Sequence, residues 1–176
     1  MNAIVCVDEN WGIGENNNLL FSIPEDMKFF VNKTKNNIIV YGRKTLFSFK
    51  NKSPLENRLN IVFTKNNNLM DDYTNFNNIK FVNNRDELLK LLDEIKKENC
   101  EYKDSEVFVC GGESIYKLLL DDCKSIFVTK MYKSFPADSY FPNLDKNKNF
   151  NIVNKSEIFE YNDINYQFLE YINEKK

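Results

Sequence analysis

Short apolar runs alternate with amphipathic stretches along this chain. AIVCV (3–7), NIIVYG (37–42), LNIVFT (59–64), IKFV (79–82), EVFVC (106–110) and SIFVTKMY (125–132) are rich in β-branched and aromatic residues and predict strands. Several lack polar alternation, as expected of strands covered on both faces. Between them, PEDMKFFVNKT (24–34), the segment after Arg43, RDELLKLLDEIKKE (85–98) and ESIYKLLLD (113–121) predict helices. Leu88, Leu89, Leu91, Leu92 and Ile95 form an apolar stripe of the kind that packs into a core. Near the end, FNIVNKSEIFEY (150–161) and INYQFLEYINE (164–174) flank Asn162-Asp163, a hairpin signal. The expected class is α/β: a mixed, mostly parallel central sheet with helices on both faces and a C-terminal antiparallel hairpin. No repeat or Pro/Gly/Ser-rich linker breaks the pattern, so residues 1–176 read as one domain. At 176 residues and 42% hydrophobic content, the chain can bury a sizeable core.

Charge narrows the partners. Lys plus Arg total 24 and Asp plus Glu 26, for a net charge of −2. Nonspecific binding to nucleic acid or an anionic membrane needs a basic excess, which is lacking here. No apolar run approaches a membrane span, and AIVCV is too short for a signal-peptide core. A cytoplasmic protein is expected, and a monomer. Cys6, Cys100, Cys110 and Cys123 show no CxxC or zinc-like spacing and read as reduced thiols packed as small apolar groups. The chain has no histidine. Mechanisms built on an imidazole base or a His-ligated metal are excluded, and no metal is expected. Proton transfer falls to carboxylate, tyrosine, lysine, cysteine or water.

That exclusion draws the eye to FSIPEDMKFF (21–30). It reads as a helix start, with Ser22 ahead of it and Pro24 near its first position. Asp26 sits in the first turn, where the helix dipole favours an acid. Such an acid ordinarily faces water. Here Phe21, Ile23, Met27, Phe29 and Phe30 surround it with apolar side chains. A carboxylate in an apolar slot costs free energy unless it meets donors, and a ligand with two adjacent N–H groups would satisfy both oxygens. A plain first-turn aspartate is the alternative.

In an open α/β sheet, ligands bind beyond the carboxyl ends of the strands. Three junctions here have suitable residues. In NIIVYGRKT, Gly42 leads into Arg43, Lys44 and Thr45 at a helix start, a seat for phosphate. In VFVCGGESIY, Gly111-Gly112 lets a phosphate approach the backbone before Glu113 and Ser114 open a helix. In LNIVFTK, Thr64 and Lys65 follow a strand. Taken alone, the first is equally well a strand-to-helix turn with solvated charges, and the second is better read as a plain tight turn. Three together suggest a polyphosphate ligand such as a dinucleotide.

These residues carry a resemblance. The chain resembles a bacterial-type dihydrofolate reductase nearly end to end. NWGIGENNNLLFSIPEDMKFF is similar to that family's mobile loop and first helix, and VYGRKT to its phosphate-binding turn. SPLENRLNIVFTK resembles its substrate segment and cofactor strand, VFVCGGESIY its Gly-Gly turn, and FVTKMY with ADSYFP its late strand and Asp-x-x-Phe-Pro ending. The resemblance implies reduction of 7,8-dihydrofolate to tetrahydrofolate with NADPH, for one-carbon metabolism. It implies that Asp26 grips the 2-amino group and N3–H of the pterin and promotes protonation at N5. Val5 and Cys6 would lie against the pterin, Phe30 would cover it, and Phe49 and Leu55 would wall the benzoyl segment. Arg58 would pair with the glutamate carboxylate, and Thr129 would support Asp26 by a hydrogen bond. Around the cofactor, the resemblance implies Cys6, Ile13, Gly14, Asn17 and Leu19 at the nicotinamide. Gly42, Arg43, Lys44, Thr45, Phe63, Thr64 and Lys65 would hold the pyrophosphate and adenosine 2′-phosphate. Cys110, Gly111, Gly112, Glu113, Ser114, Ile115 and Tyr116 would line the nicotinamide ribose and pyrophosphate.

There are departures. Phe21 stands where the family often has tryptophan, and Leu20 where proline is frequent. Glu56 and Asn57 replace a common Pro-Gly, and Ser114 a sometime arginine. They bear on the water relay, loop motion and cofactor affinity. Trp11, the lone tryptophan, reads as a packing anchor, or as a reporter of loop closure. Two other functions stay open on the residues alone. One is a related NADPH-dependent reductase of a pyrimidine in flavin synthesis; the other is a noncatalytic nucleotide- or RNA-binding module.

Overall fold

A computed structural model of the chain describes residues 1–98 and 101–176. The predicted strands and helices form close to their expected bounds, except that the run 150–161, expected as one strand of the hairpin, is broken at 156–158 into two. The first half runs β1 (Asn2–Val7), β2 (Gly12–Glu15), β3 (Asn18–Leu19), α1 (Pro24–Thr34), β4 (Ile38–Gly42), α2 (Arg43–Ser48) and β5 (Leu59–Phe63). The second runs β6 (Ile79–Val82), α3 (Arg85–Lys97), β7 (Val107–Gly111), α4 (Glu113–Leu119), β8 (Ser125–Met131), β9 (Ser139–Tyr140), β10 (Phe150–Lys155), β11 (Phe159–Tyr161) and β12 (Ile164–Asn173).

The main sheet has the order β10-β12-β8-β1-β7-β4-β5-β6, with β11 also paired to β12. The pairs from β8 through β6 are parallel, and β12 is antiparallel to β8, β10 and β11. The sheet is thus mixed and mostly parallel, as expected. Alternation along each strand serves two cores. On one face, Ala3, Val5, Val40, Ile61 and Val109 meet Leu88, Leu92 and Ile95 of α3 and Ile115 and Leu119 of α4. On the other, Ile4, Ile39, Tyr41, Val62 and Phe108 meet Leu46 of α2 and Phe29 and Phe30 of α1. Burial on both sides is why these strands read as unbroken apolar runs. In the late hairpin, Asn162 (φ 49°) and Asp163 (φ 59°) are both left-handed, as a tight two-residue turn demands.

Ile23 holds the N-cap position of α1, with no side-chain cap. Pro24 starts the helix with φ preset, so a capping hydroxyl is dispensable. Of the cysteines, Cys123 is buried, Cys6 and Cys110 are half-buried, and all three are unpaired. Cys100 lies outside the described residues.

A small sheet, β3-β2-β9, joins the 12–19 segment to residues 139–140. Its root is firmly held. Trp11 is 2% exposed, stacked on Phe141 and edge-on to Tyr171, each with ring centroids 6.1 Å apart. Lys130 Nζ lies 4.2 Å from the centre of the indole ring. Buried Asp8 accepts from the backbone N–H of Asn10 (2.8 Å), Gly12 (2.8 Å) and Phe135 (3.0 Å). Trp11 therefore anchors the segment by packing.

Leu119 is wholly buried between α4 and the sheet. Leu119→Ala is expected to lower unfolding free energy by about 2–5 kcal/mol, read from urea denaturation. A loss under about 1 kcal/mol would show that α4 is not packed as described.

Candidate active site

The carboxyl ends of β1, β4, β5 and β7 open onto a cleft of about 1600 Å³. The register puts the three glycine- and threonine-bearing turns at one edge: Gly42 of β4 is level with Phe63 of β5, and Tyr41 with Gly111 of β7. Val5, Cys6, Ile13, Gly14, Asn17 and Leu19 line the cleft, as do Gly42, Arg43, Lys44, Thr45, Phe63, Thr64 and Lys65. Cys110, Gly111, Gly112, Glu113, Ser114, Ile115 and Tyr116 complete that wall. Every residue predicted on the cofactor side thus faces one cavity.

Local geometry explains the residue types. Gly111 has φ +124°, a conformation that side chains resist, and its peptide to Gly112 is cis. Thr45 Oγ1 sits over the pair: added Cβ atoms at Gly111 and Gly112 would lie 3.5 and 3.6 Å from it. Arg43, Lys44 and Lys65 are exposed at the cleft. Thr64 is nearly buried; its Oγ1 accepts from Asn66 N at 3.0 Å and keeps its own hydrogen to donate. Asn17 Nδ2 donates to Lys44 O at 3.2 Å, tying the loop to the α2 turn. Glu113 pairs with Lys117 and accepts from Tyr140 N, which holds its carboxyl below the usual range. Tyr116 Oη donates to Ile4 O at 2.7 Å, linking α4 to β1.

The substrate-side residues are arranged differently. Of that set, Val5 and Cys6 line the cleft, and Asp26, Phe30, Phe49, Leu55, Arg58 and Thr129 are not among its lining residues. Cys6 joins the two groups, because β1–β8 pairing sets it level with Thr129. Thr129 Oγ1 donates to Asp26 Oδ1 at 2.6 Å. Asp26 Oδ2 has no partner among the described residues. Burial raises the Asp26 pKa above the usual carboxylate value, and the Thr129 hydrogen bond pulls the other way. Burial, then the nearby Asp26 charge, pushes the Cys6 thiol well up, so it stays protonated and inert. Phe30, Phe49 and Leu55 pack on the Tyr41–Val62 side of the sheet. Arg58 is 7% exposed, its guanidinium carbon 5.9 Å from the centre of the Phe30 ring.

Sequence reasoning missed several residues. Asn16, Asn18, Ser48, Asn66, Asn83, Asp138 and Ser139 also line the cleft. Asn83 follows β6, so the strand-end rule that selected Gly42 and Thr64 applied equally there. Asp138 lies in the quoted ADSYFP, and Asn16 N donates to its Oδ2 at 2.8 Å. Only the fold reveals that pairing. Asn60, also missed, is wholly buried and organises the 55–58 segment. It accepts from Tyr41 Oη (2.8 Å) and Leu55 N (3.0 Å), and donates to Leu55 O (2.9 Å) and Arg58 O (3.1 Å).

The raised Asp26 pKa has a sign. The fold favours the protonated acid, so its contribution to stability is complete below about pH 4, the unfolded value, and is lost as pH rises through the raised folded value. Asp26→Asn is therefore expected to be more stable than wild type at neutral pH, with the gap closing towards about pH 4, measured by urea midpoints. A constant gap, or a less stable variant at neutral pH, would contradict the burial cost.

A family model described as Dihydrofolate reductase matches residues 1–173. The chain is similar to dihydrofolate reductase of Sus scrofa, 32% identical over 191 residues that cover 97% of this chain and 96% of that protein. It is similar to that of Staphylococcus haemolyticus, 32% identical over 142 residues, 81% of this chain and 76% of that one. For Aedes albopictus the identity is 31% over 185 residues, 96% and 94% of the two chains. A match across nearly the whole chain settles the family, and the protein belongs to the dihydrofolate reductases.

Proposed function

We propose that this enzyme reduces 7,8-dihydrofolate to 5,6,7,8-tetrahydrofolate with NADPH. The observation that carries the site assignment is Asp26: one oxygen fixed by Thr129, the other open, in a slot where burial penalises its charge. A flat heterocycle offering adjacent N–H groups relieves that penalty. Family membership supports the reaction class and a nicotinamide cofactor. The cleft suits such a cofactor: its turns give open backbone at Gly111, the Thr45 and Thr64 hydroxyls, and three exposed cations. Arg43, Lys44 and Lys65 favour NADPH over NADH, since a further phosphate calls for further positive charge.

When bound, NADPH supplies the hydride. The chain's own residues do the rest. Val5, Cys6 and Phe30 hold the pterin flat, and Asp26 orients it through the 2-amino group and N3–H. Asp26 also promotes protonation at N5, indirectly, through water. Phe49 and Leu55 wall the benzoyl segment, and Arg58 takes the glutamate carboxylate. Ile13, Gly14, Asn17 and Leu19 close over the cleft and exclude water. None of these tasks needs an imidazole, which accounts for a chain without histidine.

The reading includes a cytoplasmic monomer that binds neither nucleic acid nor membrane, supported by the near-neutral charge. Among the described residues, no helix is long and apolar enough to cross a membrane. The pyrimidine-reductase and noncatalytic alternatives are not favoured by the family match.

Mixing protein, NADPH and dihydrofolate is expected to consume NADPH absorbance; absence of turnover from acid to alkaline pH would overturn the reading. Asp26→Asn is expected to keep the fold and cofactor affinity yet lose roughly a hundredfold or more in hydride transfer at neutral pH. The deficit should shrink in acid, where solvent protonates the substrate. Full activity at neutral pH would remove Asp26 from its role.

A further inference from the structure

Asp26, Phe30 and Thr34 are spaced four residues apart on α1, so they share one helical face. The first two already have roles in the proposed folate site. Thr34, wholly buried, has none.

Its hydroxyl is fully used. Thr34 Oγ1 donates to Phe30 O at 2.7 Å and accepts from Arg58 Nε at 2.9 Å. A hydroxyl has one hydrogen, and here it goes to the helix backbone. The oxygen lone pair facing Arg58 is thereby aimed. On its other side, Arg58 Nη1 donates to Glu56 O at 2.7 Å. A guanidinium is a rigid planar fork, so two anchors from different segments define its plane. Nη2 remains without a partner among the described residues, and Nη1 keeps a second hydrogen. This is the edge a carboxylate would take.

Backbone hydrogen bonds fix the segment around Arg58 to the chain just after α1: Asn36 N donates to Asn57 O at 2.7 Å and Leu59 N to Asn37 O at 3.1 Å. The Thr34 bond then fixes where the long Arg58 side chain points. Asp26 and Thr34 are eight residues apart, about 12 Å along the helix axis. Phe30 lies between them, its ring beside the guanidinium.

We propose that Thr34 is a positioning residue for the substrate tail. It locks Arg58 to the helix that carries Asp26, so the two polar ends of the ligand are gripped at a spacing measured along α1. The inference rests on the folate reading above. It predicts an effect confined to substrates with a carboxylate tail, whereas a merely structural Thr34 would weaken the protein without telling substrates apart.

The test compares 7,8-dihydrofolate with 7,8-dihydrobiopterin, which keeps the pterin ring but lacks the benzoylglutamate tail. In Thr34→Val, KM for dihydrofolate should rise about tenfold while kcat stays within about twofold. The kcat/KM for dihydrobiopterin should stay within about twofold of wild type. Thr34→Ser keeps the hydroxyl and should match wild type on both. If Thr34→Val does not fold, Thr34→Ala is held to the same criteria. An unchanged dihydrofolate KM, equal losses on both substrates, or a Thr34→Ser variant with the raised KM would each overturn the proposal. Wild-type protein that turns over neither substrate would fail the folate reading itself, a distinct result.

Discussion

The site turns on a carboxylate placed where burial penalises its charge. Asp26 receives one hydrogen bond, from Thr129, on one oxygen only. Complete satisfaction by the protein would make it a quiet structural ion pair or cap. Exposure to bulk water would make it an ordinary first-turn acid. The fold does neither, leaving Oδ2 without a partner among the described residues. The raised pKa is the electrostatic signature of that compromise. Placing it requires three elements at once: α1 for the acid, β8 for the threonine, and the β1–β8 register that sets Thr129 beside Cys6.

Sheet topology does the corresponding work for the cleft. β7 lies between β1 and β4 although it follows both in the chain. The loops leaving β1 and β4 therefore diverge, which opens a crevice at their carboxyl ends. The turns after β4, β5 and β7 converge there from positions far apart in sequence. β2, β3 and β9 then form a flap at its edge, rooted at Trp11 and Asp8 and held further out by the Asn16–Asp138 and Asn17–Lys44 hydrogen bonds.

Much of this was legible in the chain because it depends on local rules. Continuous apolar runs marked doubly covered strands, Asn162-Asp163 marked the hairpin, and glycines at strand ends marked the turns. Spacing singled out Asp26, although Met27 beside it is 44% exposed and Phe21 packs on Phe135 and Tyr161. What was not legible depends on register. Nothing local to Thr34 or Asn60 signals that one meets Arg58 across 24 positions and the other pins residues 55–58. The Asn16–Asp138 contact likewise spans 122 positions.

The central claim is that Asp26 anchors the pterin. A crystal structure with NADP⁺ and folate tests it most directly. The account predicts Asp26 within hydrogen-bonding distance of the 2-amino group and N3, with Thr129 still donating to Oδ1. A complex with Asp26 turned to solvent and the pterin seated elsewhere would contradict it.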